Sequence, residues 1–256
     1  MRATGNLYKR LRSLHYVSFP AFMRFVPARL NSIYERVATM PRCSAVAFDM
    51  DGLMFDTEDV YWKAADALLR RRGHAYTQEL CDEIMGRPPE HCFRRFKEMF
   101  SLPETWRQLQ RESEDLFLEF LDDGFALMPG LETLLELLER RRIPKGICTS
   151  SAERVVREVL RRYSMRERFD FVLTAEDITH GKPAPEVYLK AAGKFGVVPR
   201  SMLVLEDSVA GIRAAVEAGA YAVAVRAHHN RRNDFSHADL VVESLDDPGI
   251  TALVDR

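Results

Sequence analysis

The sequence predicts an α/β protein, a doubly wound parallel sheet with an all-helical segment inserted after its first strand. Three observations lead there. The short apolar run Ser44-Ala45-Val46-Ala47-Phe48 stops abruptly at Asp49-Met50-Asp51-Gly52, as a buried strand does at a tight polar loop. Residues 58–127 carry helical patterns and almost no strand signal. From Pro129 onward, short apolar strands alternate with amphipathic helices, which argues a parallel sheet covered on both faces.

The elements follow in order. Within the insert, helices are expected near 58–72, 77–85, 89–100 and 104–122. They are separated by Gly73, by Gly86-Arg87-Pro88-Pro89 and by Leu102-Pro103. Leu109, Leu116, Phe117, Phe120 and Leu121 form the apolar stripe of the last one. Leu131, Leu134, Leu135 and Leu138 then follow helical spacing, and Arg140, Arg141 and Arg142 suit that helix's C-terminus. Strands near 145–148, 169–173, 202–205, 221–225 and 239–242 interleave with helices near 152–162, 185–195 and 209–218. This divides the chain into a basic extension (1–42), an α/β core (43–57 and 128–256) and a helical cap (58–127). Linkers at 55–58 and 126–129 would act as hinges. Trp62 and Trp106 are expected as core or hinge-facing anchors.

The 256 residues balance 37 Lys and Arg against 38 Asp and Glu, and 46% are hydrophobic. That excludes a globally basic nucleic-acid binder and a disordered chain. No run of 18 apolar residues occurs, so no stable membrane insertion is expected. The charge is uneven: residues 1–42 carry +7, leaving −8 on the remainder. With Leu7, Leu11 and Leu14 at helical spacing, this start has the features of a transit segment, a membrane-surface helix or a disordered extension. The expected compartment is the cytoplasm, or an organelle if 1–42 is a targeting segment, and a monomer is the default. Cys43, Cys81, Cys92 and Cys148 lack zinc or disulfide-framework spacing and are expected as reduced thiols. His228-His229-Asn230-Arg231-Arg232 reads as a surface loop, not a metal site.

In a doubly wound sheet, ligands bind outside the carboxyl ends of the strands. Those ends bring together Asp49 and Asp51, Thr149 and Ser150, the loop toward Lys182, and Glu206 and Asp207. Four carboxylates cannot crowd together ionised without a cation, and a hard divalent ion such as Mg²⁺ fits them. The Lys182 ammonium, the Thr149 hydroxyl and amides at the following helix start suit a phosphate. Carboxylates, Mg²⁺ and a phosphate cradle point to phosphoryl transfer. Taken singly, Thr149, Ser150 or Ser151 could be a helix cap, and Gly211 could serve close packing.

Four stretches resemble, in order and spacing, the motifs of the haloacid dehalogenase-like superfamily. They are F-D-M-D-G-L-M-F-D-T-E from Phe48, C-T-S-S from Cys148, G-K-P-A-P-E-V-Y from Gly181 and L-E-D-S-V-A-G-I from Leu205. The insert after the first motif resembles the subfamily with a small helical cap on a Rossmann-like core. That group includes β-phosphoglucomutases, phosphoglycolate phosphatases and pseudouridine-5′-phosphatases. The resemblance implies Asp49 as nucleophile and Asp51 as general acid and base. It implies a Mg²⁺ site from Asp49, the Asp51 carbonyl, Asp207 and Glu206, the last directly or through water. Thr149, Ser150 and Lys182 would bind the transferred group. Glu58, Tyr61 and Arg87 are the candidate cap residues facing substrate.

The implied activity is hydrolysis of a small phosphorylated metabolite, a sugar, nucleoside or glycolate phosphate, through an aspartyl-phosphate. One alternative is a phosphomutase; Tyr61 stands where β-phosphoglucomutases carry a histidine, which counts against it. Another is a non-catalytic phospho-ligand sensor, yet no core charge is missing. Asp51 argues against dehalogenation.

Overall fold

The computed structural model describes residues 42–84 and 88–255. The extension at 1–41 and the Gly86-Arg87 turn lie outside the described residues. Six strands form one parallel sheet: β1 (Ala45–Phe48), β2 (Lys145–Cys148), β3 (Phe171–Leu173), β4 (Met202–Glu206), β5 (Tyr221–Val225) and β6 (Leu240–Val242). Their order is β3-β2-β1-β4-β5-β6, the doubly wound arrangement the sequence predicts. The order in which strands are added across the sheet reverses beside β1, whose Phe48 is level with Ile147 of β2 and Leu205 of β4. Asp49 therefore emerges beside Cys148 and Glu206, at the point where the neighbouring crossovers part.

Every residue of β1, β2, β4 and β5 is buried, which explains why these strands read as apolar runs rather than alternating ones. Side chains still alternate between faces. Ala47, Cys148, Leu173, Val204, Ala222 and Ala224 join one core cluster with Val187, Tyr188 and Ala191 of α7 (Glu186–Phe195) and Ile212, Ala214 and Ala215 of α8 (Val209–Ala218). Small residues on β5 and α8 let these layers approach closely.

After β1 come α1 (Glu58–Arg70), α2 (Gln78–Ile84), α3 (Pro89–Phe100) and α4 (Trp106–Phe120), within a residue or two of the expected spans. Thr105 caps α4 reciprocally with Gln108. Tyr61 of α1 packs its ring 4.4 Å from Phe117 of α4. The Arg72 guanidinium, beyond the end of α1, pairs with Glu112 (2.6 Å) and Glu104 (2.8 Å). The two linkers of the insert run side by side. Asp56 N–H donates to Ala126 O and Met128 N–H to Met54 O, both at 2.9 Å, with Phe55 bridged to Leu127.

Returning to the core, α5 (Leu131–Arg141) buries the four leucines the periodicity picks out, and α6 (Glu153–Arg162) buries Val155, Val156, Val159 and Leu160. A last helix, α9 (Pro248–Val254), was not expected. Its signals are local and short: Asp247 accepts the Gly249 N–H at 2.7 Å, and proline occupies the first turn. Trp106 is no core anchor, for it is half-buried with the Arg94 and Arg107 guanidiniums over its ring. Trp62 is also half-buried and packs against Tyr76. None of the four cysteines is in a disulfide, and burial pushes the Cys148 thiol up to about 12. Among the described residues no helix is long and apolar enough to cross a membrane.

Candidate active site

The carboxyl ends of β1, β2 and β4 converge on one buried polar cluster, because Asp49, Cys148 and Glu206 occupy adjacent register positions. Lys182, on the loop before α7, reaches into it. Its Nζ donates to Asp49 Oδ1, to Glu206 Oε1 (2.6 Å) and to the Cys148 carbonyl (2.9 Å), with 6% of the side chain exposed. Burial alone would lower the Lys182 pKa, but the Asp49 and Glu206 charges outweigh it and hold the ammonium above its ordinary value. Burial pushes the Asp49 carboxyl well above the usual carboxylate range; Lys182 opposes that rise, while Glu206 and Asp207 add to it. Asp207 is raised for the same reasons, first by burial and then by Glu206.

Glu206 is wholly buried and saturated with donors. Oε1 accepts from Lys182 and from the Tyr188 hydroxyl at 2.6 Å, and Oε2 from the Ser208 amide (3.2 Å) and hydroxyl (2.9 Å). Gly211 makes room for this carboxylate, since a Cβ there would overlap it. The glycine thus serves the site more than helix packing. Gly52 has a comparable role: its φ is +74°, and a Cβ would strike Asp207 Oδ2 and His229 Nε2.

Asp49, Glu206 and Asp207 each offer a carboxylate oxygen, and the three lie within 4.8 Å of one another. Three buried carboxylates against one ammonium leave surplus negative charge, and an oxygen-only donor set of this kind suits a hard divalent cation. The Asp51 side chain lies outside that group. It accepts from Thr57 (3.0 Å), Ser151 (2.6 Å) and Thr149 (3.4 Å). Burial raises its pKa, and these hydroxyls partly offset the rise. The Ser151 proton goes to Asp51, so the Tyr61 hydroxyl, 2.9 Å from Ser151 Oγ, is the donor in that pair.

Above the carboxylates lies a cavity of about 600 Å³. Lys182, Thr149 and Ser150 line its floor and Glu58 and Tyr61 its side, while Phe93, Phe96 and Phe117 form an aromatic wall. Burial raises the Glu58 carboxyl, with Asp51 adding to the rise. Arg87 lies outside the described residues.

A sequence profile of the haloacid dehalogenase-like hydrolases matches residues 46–225, which hold all four motifs. The chain belongs to this family. It is 36% identical to the probable pseudouridine-5′-phosphatase of Drosophila melanogaster over 78% of its own length and 89% of the relative's. It is 33% identical to a phosphorylated carbohydrates phosphatase of Thermotoga maritima, over 68% and 81%. Among solved structures, CbbY of Rhodobacter sphaeroides in complex with phosphate superposes with a TM-score of 0.77 at 25% identity, covering 84% of this chain and all of the other. With its phosphatase relatives, this haloacid dehalogenase-like chain is a phosphoric monoester hydrolase.

Two sequence-based readings need correction. None of Thr149, Ser150 and Ser151 caps α6: the N-cap is Ala152, and the Glu153 N–H is met by Glu176 from another segment. Nor is the 228–232 loop wholly at the surface. His229 is 6% exposed at its side chain and meets Asp207 Oδ2 at 2.8 Å. Asn230 is buried, its amide donating to the carbonyls of Asp207 and Val225. Sequence spacing holds no signal for this contact. Thr57, Ser151, Tyr188 and Ser208 were also missed as site residues, although each falls inside one of the quoted motifs.

Proposed function

We propose that this hydrolase is a Mg²⁺-dependent phosphatase of a small phosphorylated metabolite, working through an aspartyl-phosphate on Asp49. The observation that carries the reading is Lys182 held between Asp49 and Glu206 beside Asp207, on the floor of a cavity large enough for a phosphate ester. Asp49 and Asp207 would hold the ion with the Asp51 carbonyl. Glu206 would act from behind it, because its oxygens are already occupied by Lys182, Tyr188 and Ser208. When bound, the ion would offset the charge of the phosphoryl oxygens and of the carboxylates around it.

The chain's own residues then divide the chemistry. An Asp49 carboxylate oxygen attacks phosphorus as the bond to the ester oxygen breaks. Asp51, whose pKa burial raises, gives a proton to the departing oxygen. Its carboxylate then takes a proton from the water that attacks the aspartyl-phosphate, releasing orthophosphate and restoring Asp49. Lys182, the Thr149 hydroxyl and the Ser150 amide hold the phosphoryl oxygens. Thr57 and Ser151 orient Asp51. The helical insert acts as a cap hinged on the paired linkers near 55–58 and 126–129, excluding water as it closes.

The aromatic wall favours a nucleoside monophosphate or another ring-bearing ester over glycolate phosphate, since flat rings gain contact there. The relative named as a pseudouridine-5′-phosphatase supports the same choice. The test is a panel of nucleoside, sugar, glycerol and glycolate phosphates with Mg²⁺, using Asp49→Asn as the blank. Release of orthophosphate, with transient labelling of Asp49, is expected. Exchange between sugar-phosphate isomers without release would establish the mutase instead, and absence of all turnover the sensor.

A further inference from the structure

Beside the carboxylate cluster stands a second group of possible ligands with different chemistry. Asp56 on the first linker and His228 and His229 on the loop after β5 each offer one ligand atom, all within 4.8 Å of one another. His228 Nε2 lies 4.0 Å from Asp56 Oδ1. His229 supplies an independent sign of a ligand. Its Nε2 is engaged by Asp207 at 2.8 Å, while its Nδ1 is buried and has no hydrogen-bond partner among the described residues. A metal-bound histidine characteristically donates its other ring N–H to a carboxylate, which fixes the tautomer and leaves a lone pair for the ion. His229 is already arranged this way, with Nδ1 the free nitrogen. A buried imidazole nitrogen without a partner otherwise carries an uncompensated desolvation cost.

We propose that Asp56, His228 and His229 form a binding site for a divalent transition ion of the zinc type. Two imidazoles and one carboxylate are a borderline-soft donor set that suits zinc, whereas Mg²⁺ prefers oxygen alone. Tetrahedral zinc with bonds of about 2.0–2.2 Å places its ligand atoms about 3.3–3.6 Å apart. Small rotations of the exposed His228 and half-buried Asp56 side chains close the remaining distance. A recess of about 270 Å³, lined by Asp56, Leu127, Met128 and His228, gives the ion a route from solvent. The ion joins the linker of the helical insert to a core loop. Its bound state therefore restrains the hinge and inhibits turnover, a consequence that rests on the phosphatase reading, whereas the binding does not.

The test uses the full chain with saturating Mg²⁺ and Co²⁺ as a spectroscopic stand-in for Zn²⁺. One equivalent of Co²⁺ should give the strong visible absorption of a tetrahedral, imidazole-containing site, and Zn²⁺ should displace it. His228→Ala should weaken that binding by about tenfold or more. The same variant should keep its turnover with Mg²⁺ alone and resist inhibition by Zn²⁺. Repeating the titration in Asp49→Asn should give the same spectrum, because the binding needs no catalysis. Cobalt binding that is unchanged by His228→Ala, or that excess Mg²⁺ abolishes, would overturn the site.

Discussion

Lys182 shows how one side chain can hold a buried polar cluster and a fold together. Its three acceptors are two carboxylates and a carbonyl, so Lys182→Met leaves Asp49 and Glu206 facing each other in the interior. Breaking a buried ion pair on one side costs about 3–5 kcal/mol. The variant should therefore lose both turnover and stability, read as phosphate release and as the denaturant midpoint. Glu206→Gln, which keeps its shape and two acceptor bonds, should unfold closer to wild type. Ser151 gives a test that moves with pH. Its hydroxyl stabilises the charged form of Asp51, so Ser151→Ala should raise the Asp51 pKa further. A general acid with a higher pKa stays protonated to higher pH. The alkaline limb of the kcat/KM profile should move upward, and a shift downward would contradict the role given to Asp51.

Lys182 and Asp51 could be picked from the sequence because their neighbours make short, ordered motifs. His229 could not, since its relation to Asp207 arises from a loop folding back across 22 residues of helix, strand and turn.

Among the elements, the helical insert meets the core through polar contacts. Arg154 of α6 pairs with Asp115 and lies 3.8 Å from Glu114, both on α4, and Arg162 of α6 donates to the Leu121 carbonyl at 2.8 Å. Such partly exposed pairs contribute about 0.2–1 kcal/mol each, enough to bias a closing motion without locking it. Arg154→Ala should accordingly raise KM severalfold with little change in melting temperature. A large loss of stability instead would show that the contact is structural. Within the insert, the Glu104 and Glu112 carboxyls beside Arg72 lie below the ordinary glutamate value; backbone hydrogen bonding leads for Glu104 and the Arg72 hydrogen bond for Glu112. Stability from groups lowered in this way is present above the unfolded value of about 4.3 and lost as pH falls through the folded one. Melting followed between pH 6 and 3 should show wild type losing more than Arg72→Met.

The spans of α1 to α4 were legible because apolar periodicity and the breakers Gly73 and Pro103 mark them locally. The α9 helix was not, since its seven residues are too few to show a period.

For the whole molecule, the site is a standing cost. Asp49, Asp51 and Asp207 have folded pKa values raised by burial, so they oppose folding increasingly as pH rises through the unfolded value. A cation that binds only the folded chain should relieve this. At a hundredfold excess over Kd, the gain is about 2.7 kcal/mol, or roughly 5–10 °C in Tm for a chain of this size. Mg²⁺ should raise Tm by about that amount in wild type and not in Asp207→Asn. The same variant should melt higher than wild type in the presence of EDTA, since it removes a buried charge.

The doubly wound sheet, the inserted helices and the residues at the strand ends were all determined by the sequence itself, because burial on both faces and helical periodicity are properties of neighbouring residues. What only the tertiary structure decided is how those strand ends share their charges. Glu206 is saturated by Lys182, Tyr188 and Ser208, Asp51 turns toward Thr57 and Ser151, and His229 completes the shell of Asp207. Those pairings join groups far apart in the chain and depend on distances of a few ångströms, which sequence pattern does not encode.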